Sequence, residues 1–301
     1  MSSTIKKTLT RWTLRIVGGL ALTIGFVLGA VYAISEYKMR RHFDVPQHTL
    51  VVREDSVSIA RGAHLVQIRA CVACHGQGLK GNVELDNLLL GRLAGPNLTR
   101  GGRGAELTDA DWERAVRHGV RRDGRALFVM PATEHTGLSD EDVGAIAAYA
   151  RSLAPVTTQP PASRAGPIIR AMYLAGIAKI LSAEEIDHTA PHPATVVAEV
   201  TPQYGKYVAS LCTGCHGPNL SGGKIPGGPP EWKPAANITP AGIGHYKEED
   251  FIRALRLGRR PDGSAIDEQM PWKLFSQMSD TELRALYAYL RSVESRAYGS
   301  R

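Results

Sequence analysis

The 301-residue chain has only four cysteines, and they stand in two tight pairs, Cys71 with Cys74 and Cys212 with Cys215. So few thiols exclude a disulfide-dense scaffold, and none is left over for a structural bridge. A parallel βαβ pattern is missing, which removes the thioredoxin-like reading of a Cys-x-x-Cys pair. Aromatic residues are scarce at 6%, and no Lys/Arg stripe interleaved with aromatics appears. Despite a formal charge of +7, the chain therefore lacks the footprint of a nucleic-acid surface. Most of that charge is local: Lys6, Lys7, Arg11, Arg15, Lys38, Arg40 and Arg41 stand against Glu36 alone, and the remainder is almost neutral.

Between those basic clusters, Ile16 to Ile34 contains no charged residue. As a helix rising about 1.5 Å per residue it would be roughly 28 Å long, close to a bilayer's hydrocarbon core. A cleaved signal peptide would have a shorter apolar part and a small-x-small site, whereas Val31-Tyr32-Ala33 puts bulk where a small residue is needed. The expectation is a transmembrane anchor over 16–34, a cytoplasmic N-terminus over 1–15 and a linker over 35–56.

The remainder contains one unit twice. "RACVACHG" ends at Gly76 and "SLCTGCHG" at Gly217. Counting onward from His75 and His216, the copies share Asn97 and Asn237, Asp123-Gly124 and Asp262-Gly263, Met130-Pro131 and Met270-Pro271, Ser139-Asp140 and Ser279-Asp280, and Tyr149 and Tyr289, all within a residue of register. Helical periodicity is expected over Ile59 to Ala70 and Tyr204 to Leu211, ending at each motif. Ser139 and Ser279 read as N-caps of a closing helix with an acidic residue three positions on. Val143, Ile146, Tyr149, Ala150 and Leu153 form its apolar face in the first copy, and Leu283, Leu286, Tyr287, Leu290 and Val293 in the second. Between these ends, Gly- and Pro-rich loops suit backbone laid against a flat ligand better than continuous strands. Such loop-rich units have little core of their own, so something else must fill them.

Cys-x-x-Cys-His is the attachment signature of c-type haem. Two thiols a helical turn apart can each add to a vinyl group of one porphyrin, and the adjacent His falls under the iron. A zinc site drawing on both pairs is the rival, but structural zinc ligands usually share one small module, and here each pair sits in its own repeat. Of six methionines, only Met130 and Met270 are matched by the repeat and followed by Pro, which marks them as the second axial ligands. His118, His135 and His245 are the alternatives for that position. None has a counterpart in the other copy, which assigns them to the surface or to loops. A thioether opposite His favours ferrous iron and leaves no open coordination position.

On these residues the chain resembles membrane-anchored di-haem members of the cytochrome c family. "CVACHG", "PNLT", "DGRALFVMP" and "LSDEDVGAIAAYARSL" follow the family pattern in the first copy, and "CTGCHG", "ANIT", "RRPDGSAIDEQMPW" and "MSDTELRALYAYLRSV" in the second. The pattern is similar to that of cytochrome subunits serving membrane-bound alcohol and sugar-acid dehydrogenases. The resemblance implies a mainly α fold: an N-terminal transmembrane helix, then tandem cytochrome c domains over 57–155 and 201–295, a linker with a short helix over 156–200, and a tail over 296–301. It implies two haem c groups, one bound by Cys71 and Cys74 with His75 and Met130 axial, the other by Cys212 and Cys215 with His216 and Met270. In relatives a backbone carbonyl before the Asn holds the proximal imidazole, which suits Pro96; the second copy has Ala235-Ala236 there. Arg121, Arg122, Arg259 and Arg260 either pair with haem propionates or form solvated basic turns.

The linker is polar and Pro-rich up to Pro167. Apolar residues from Ile168 to Leu181 then suggest a short helix, lying on the membrane surface or, the simpler expectation, packing between the two haem domains. The function this implies is relay of single electrons, without catalysis, between a membrane-associated donor and an acceptor: a dehydrogenase, a quinol-oxidising complex or a terminal oxidase. A di-haem peroxidase or gas sensor is the alternative and needs a displaceable axial ligand. Because c-type attachment is completed on the oxidising face, the haem domains are expected in the periplasm, tethered by a single pass to the bacterial inner membrane.

Overall fold

A computed structural model describes residues 3–229 and 231–300, with side chains from Arg11 onward. Met1, Ser2, Pro230 and Arg301 lie outside the described residues, and with them the two ends of the expected N-terminal segment and tail.

Helix α1 runs from Ser3 to Met39, outrunning the uncharged segment at both ends. Its part from Arg11 to Met39 has none of its most apolar stretch buried and is long and apolar enough to cross a membrane. The last turns of α1 are docked on protein. Arg170, on helix α6 (Pro167–Leu174), donates to the Ser35 hydroxyl at 2.8 Å and to the Glu36 carboxylate at 2.8 Å, and lies 4.5 Å over the Tyr32 ring. Lys38 lies 5.0 Å over the Tyr173 ring. The linker helix therefore starts where the sequence suggests but ends at Leu174, short of Leu181, and it packs on the base of α1, not between the two repeats. Burying a guanidinium requires a partner charge, and Glu36 is the carboxylate that α1 offers there.

Each repeat begins and ends with a helix, and these two pack on each other. In the first, α2 (Ser56–Ile68) lies on α5 (Asp140–Ser152). In the second, α7 (Pro202–Ala209) lies on α12 (Asp280–Ser292). Gly62 and Gly205 sit at the crossings. A Cβ there would lie 1.9 Å from the carbonyl oxygen of Ala145 or Ala285 and 2.7 or 2.6 Å from the Cβ of Tyr149 or Tyr289. Only glycine permits so close a crossing. Ser139 and Ser279 cap the closing helices by accepting from the amides of Asp142 and Glu282, as the capping pattern predicts.

Between these helices the first repeat holds α3 (Cys71–His75) and α4 (Asp109–His118). The second holds α8 (Thr213–His216), α9 (Pro240–Ile243), α10 (Glu248–Leu257) and α11 (Trp272–Phe275). The first also carries strands β1 (Asn82–Asn87) and β2 (Gly91–Gly95), antiparallel with a bulge between Val83 and Leu85, and β3 (Arg164–Ala165) from the linker adds to β2. Only loops are expected there from composition. The hairpin is set by Asn87, whose side chain accepts from the amides of Leu89 and Leu90 at 2.8 and 2.9 Å and turns the chain back.

The repeats meet through matched contacts. Counting from Gly62 and Gly205, His64 and Tyr207 are equivalent, as are Asp142 and Glu282 at the third position of the closing helices. His64 Nε2 donates to Glu282 at 2.7 Å, and the Tyr207 hydroxyl donates to Asp142 at 2.6 Å. Each half thus presents one side chain to the other's acid, the reciprocity of a two-fold interface. Arg61 completes the group, donating to both oxygens of Asp142 at 2.9 and 3.0 Å and reaching Glu282 at 3.5 Å.

Candidate functional site

The two Cys-x-x-Cys-His segments form short helices whose turn ends in a glycine of positive φ, Gly76 at 73° and Gly217 at 81°. That conformation, open to glycine, sends the chain away immediately after each His. The imidazoles are then fixed in the same way: His75 Nδ1 donates to the Pro96 carbonyl at 2.9 Å and His216 Nδ1 to the Ala236 carbonyl at 2.7 Å. The second copy keeps the contact although it lacks the proline. Committing Nδ1 leaves Nε2 as the nitrogen that a metal would take.

The carbonyls are held by the next residue. Asn97 and Asn237 each accept from the following threonine hydroxyl, Thr99 at 2.8 Å and Thr239 at 2.7 Å. Their amides donate to the chain that leaves the closing helix, at the carbonyls of Thr158 (3.0 Å) and Arg296 (2.7 Å). The repeated Asn is therefore a clamp that ties the histidine's carbonyl to the end of its repeat.

In the first repeat a cavity of about 410 Å³ is lined by Cys71, Cys74, His75, Trp112, Met130 and His135, among others. The four residues expected from the sequence thus line one cavity. Its wall is pressed close: a Cβ on Gly95 would stand 2.0 Å from the Cys74 carbonyl oxygen. In the second repeat His216 is buried, and Cys212 and Met270 pack on the same apolar cluster. The Met loops share a turn, with the amide of Ala132 donating to the Met130 carbonyl at 2.8 Å and that of Trp272 to the Met270 carbonyl at 2.7 Å. Burial pushes the Cys71 thiol up to about 11 and the Cys212 thiol up to about 12. Such protonated thiols do not suit a dithiol redox pair.

Three buried side-chain atoms among the described residues lack a hydrogen-bond partner: Arg69 Nε, Trp112 Nε1 and His135 Nδ1. All three residues line the first cavity. Buried polar atoms are seldom left unmatched, so the site calls for a ligand with acceptors along that wall. A haem, apolar over its ring and bearing carboxylates at one edge, fits a cavity built of methyls, thiols and orphaned donors. None of these three residues stands out from spacing alone. The usable signal was comparison between copies, since Trp112 falls opposite Phe251 and His135 opposite Phe275.

His118 and His135, assigned to surface or loop from the sequence, are both buried, 2% and 3% exposed. His135 belongs to the cavity wall, and burial lowers its imidazole to about 4. His245 is exposed beside the Tyr246 ring, as expected. The paired arginines mostly close their own turns. Arg121 lies 3.5 Å from Asp123, and Arg259 and Arg260 donate to the carbonyls of Gly263 and Ala265 at 3.2 and 2.5 Å. Arg121 and Arg122 also border the first cavity.

Comparison with known proteins agrees with this construction. Residues 57–149 match the family model for cytochrome c oxidase, cbb3-type, subunit III, and residues 203–294 match the model for cytochrome c. Cytochrome c-554(548) of Halomonas halodenitrificans is 37% identical over 83 residues, 28% of this chain and 83% of that protein. The cytochrome c subunit of the quinone alcohol dehydrogenase of Gluconacetobacter polyoxogenes is 28% identical over 275 residues, 79% of this chain and 56% of that subunit. The fructose dehydrogenase cytochrome subunit of Gluconobacter japonicus is 36% identical over 91 residues, 28% of this chain and 19% of that subunit. The chain thus spans about half the length of that alcohol dehydrogenase cytochrome subunit. It belongs to the cytochrome c family, with two cytochrome c domains, each implying one covalently bound haem c and its iron. In such a domain the one-electron chemistry belongs to the cofactor, and the protein supplies its binding and orientation.

Proposed function

We propose that the chain is a membrane-anchored electron relay, in which Cys71 and Cys74 would bind one haem with His75 and Met130 holding its iron, and Cys212 and Cys215 would bind the other with His216 and Met270 holding its iron. The observation that carries this is the duplicated histidine clamp, with Nδ1 on a backbone carbonyl in both copies at 2.9 and 2.7 Å. Bound haem iron supplies one-electron exchange between ferrous and ferric states. The protein's part is positional. Pro96 and Ala236 fix the imidazole tautomer, the Met loops supply soft thioethers that favour the ferrous state, and Arg69, Trp112 and His135 offer donors to carboxylates in the first site.

In this reading α1 anchors the chain in the bacterial inner membrane with both haem domains in the periplasm. The donor is a membrane-bound dehydrogenase of the alcohol- or sugar-oxidising kind, and electrons leave to a quinone-linked or terminal-oxidase acceptor. Support for that partner comes from relatives that are themselves dehydrogenase subunits. The two ligand sets are tested separately by Cys71→Ser/Cys74→Ser and Cys212→Ser/Cys215→Ser double variants. Each should keep one covalently bound haem after denaturation in place of two, and two haems retained in either would refute the assignment for that site.

A further inference from the structure

The chain's densest group of histidines lies outside the first cavity and apart from both Cys-x-x-Cys-His segments. At the end of α4, Glu113 and His118 are buried, and the linker lays His188 and His192 over them. His118 Nε2 is 3.1 Å from Glu113 Oε1, and His118 Nδ1 is 3.0 Å from Nδ1 of His188. Nε2 of His188 is in turn 3.2 Å from the Ala183 carbonyl. Ligand atoms of Glu113, His118 and His192 lie within 4.8 Å of one another.

The protons along this row can be assigned. A carbonyl only accepts, so His188 Nε2 carries hydrogen and, in neutral His188, Nδ1 offers a lone pair. His118 Nδ1 must then donate to it. Neutral His118 is left with a lone pair on Nε2, facing a carboxylate oxygen at 3.1 Å. Two acceptors do not face each other in a buried place unless something positive stands between them. Arg117 reaches Glu113 Oε1 only at 3.5 Å and is committed to the Leu138 carbonyl at 3.0 Å and Asp140 at 2.7 Å.

We propose that Glu113, His118 and His192 form a site for a divalent transition metal of the zinc class. Two imidazoles and a carboxylate are a donor set that zinc accepts, with water as the fourth ligand. His188 plays the outer role usual for such sites, accepting from the far nitrogen of a ligand histidine and fixing its tautomer. The duplication isolates the feature. Arg117 and Asp140 recur as the pair Arg256 and Asp280, 2.8 Å apart, but Ile252 and Leu257 stand where Glu113 and His118 would be. The shared fold thus needs no polar cluster at this place. The same linker also holds the Met130 loop, because the Ser182 hydroxyl donates to the Met130 carbonyl and the Val129 amide donates to Ile180 at 2.8 Å. A metal here would pin the linker to α4 on one side of that loop.

The test uses the full-length, haem-loaded protein in detergent, stripped with chelator and dialysed against Zn²⁺, with zinc and iron counted together by elemental mass spectrometry. One zinc for every two irons is expected. His192→Gln, at a half-buried position that the fold tolerates, should weaken zinc binding at least about 100-fold, and His188→Gln about 10-fold, with iron unchanged in both. Wild-type protein that keeps no zinc, or a His192→Gln variant that binds it as well as wild type, would overturn the proposal and leave a proton on His118 as the positive partner.

Discussion

Trp112 and Phe251 hold matching places in α4 and α10, and the same is true of His135 and Phe275 and of Glu134 and Leu274 after the two Met-Pro pairs. In each case the first domain carries a polar or ionisable group and the second a hydrocarbon. Glu134 also crosses the interface, where its carboxylate oxygen would lie 2.0 Å from a Cβ on Gly214, inside the second Cys-x-x-Cys segment. Burial pushes that carboxyl up to about 7, against the pull of Arg69. Arg69 itself reaches over to donate to the Ser210 hydroxyl at 2.7 Å. What the copies share is the apparatus that fixes the histidine and the methionine: glycine crossing, histidine clamp, Asn tie and Met turn. What they do not share is the wall. Since hydrogen bonding, charge and burial tune a haem whose ligands are kept the same, two haems held as proposed would differ in affinity for the electron.

The strongest test of the shared part is at the helix crossings. Gly62→Ala and Gly205→Ala would each push a methyl into backbone, with no flexible side chain to yield. Each should cost about 3 kcal/mol or more in chemical denaturation of its own domain. A loss below about 1 kcal/mol in one copy would show that its helices can slide apart, and the comparison would fail at its base.

A smaller effect separates the two acids of the interface. Burial raises Glu282, but hydrogen bonding and charge from His64, the Ser279 amide and Arg61 outweigh it and hold the carboxyl at about 2. The folded pKa lies below the ordinary value near 4.5, so the folded state binds fewer protons than the unfolded one. This contribution is complete above pH 4.5 and is lost as pH falls toward 2, amounting to on the order of 2–3 kcal/mol. Thermal midpoints measured across that range should fall in the wild type. In Glu282→Gln the midpoint should be lower at pH 7 and flatter with acid. An unchanged acid profile in the variant would place the sensitivity elsewhere.

Much of this was legible because the sequence could be read against itself. Met130 among six methionines, and the caps at Ser139 and Ser279, follow from register and need no coordinates. The hairpin at Asn82–Gly95 was not legible, because its strands are short, one is exposed along its whole length, and its turn depends on a single Asn side chain. The docking of α6 on α1 was hidden for another reason. It rests on Arg170 meeting Ser35 and Glu36 across about 135 residues of chain, a separation over which no periodicity speaks. The orphaned donors of the first cavity fall between these cases. Trp112 and His135 read as one more core residue and one more loop histidine until their apolar counterparts are set beside them.

The least of the expected effects concerns the Met loops, where the copies look most alike. Val129 precedes Met130 with φ at 54°, a left-handed conformation that a β-branched residue adopts only under constraint. The second copy has one more residue between Gly263 and Met270 than the first has between Gly124 and Met130, and no such strain at Gln269. What holds Val129 is the linker, through its own amide on Ile180 and the Ser182 hydroxyl on the Met130 carbonyl. Ser182→Ala removes one of these two ties, a loss of about 1 kcal/mol. Local opening should then make the Val129 amide exchange with deuterium about 5-fold faster, while amides around Met270 keep their rates. Equal acceleration in both loops would mean that the linker stabilises the whole molecule and not the Met130 loop. Acceleration confined to the first loop would make the linker part of the first haem site.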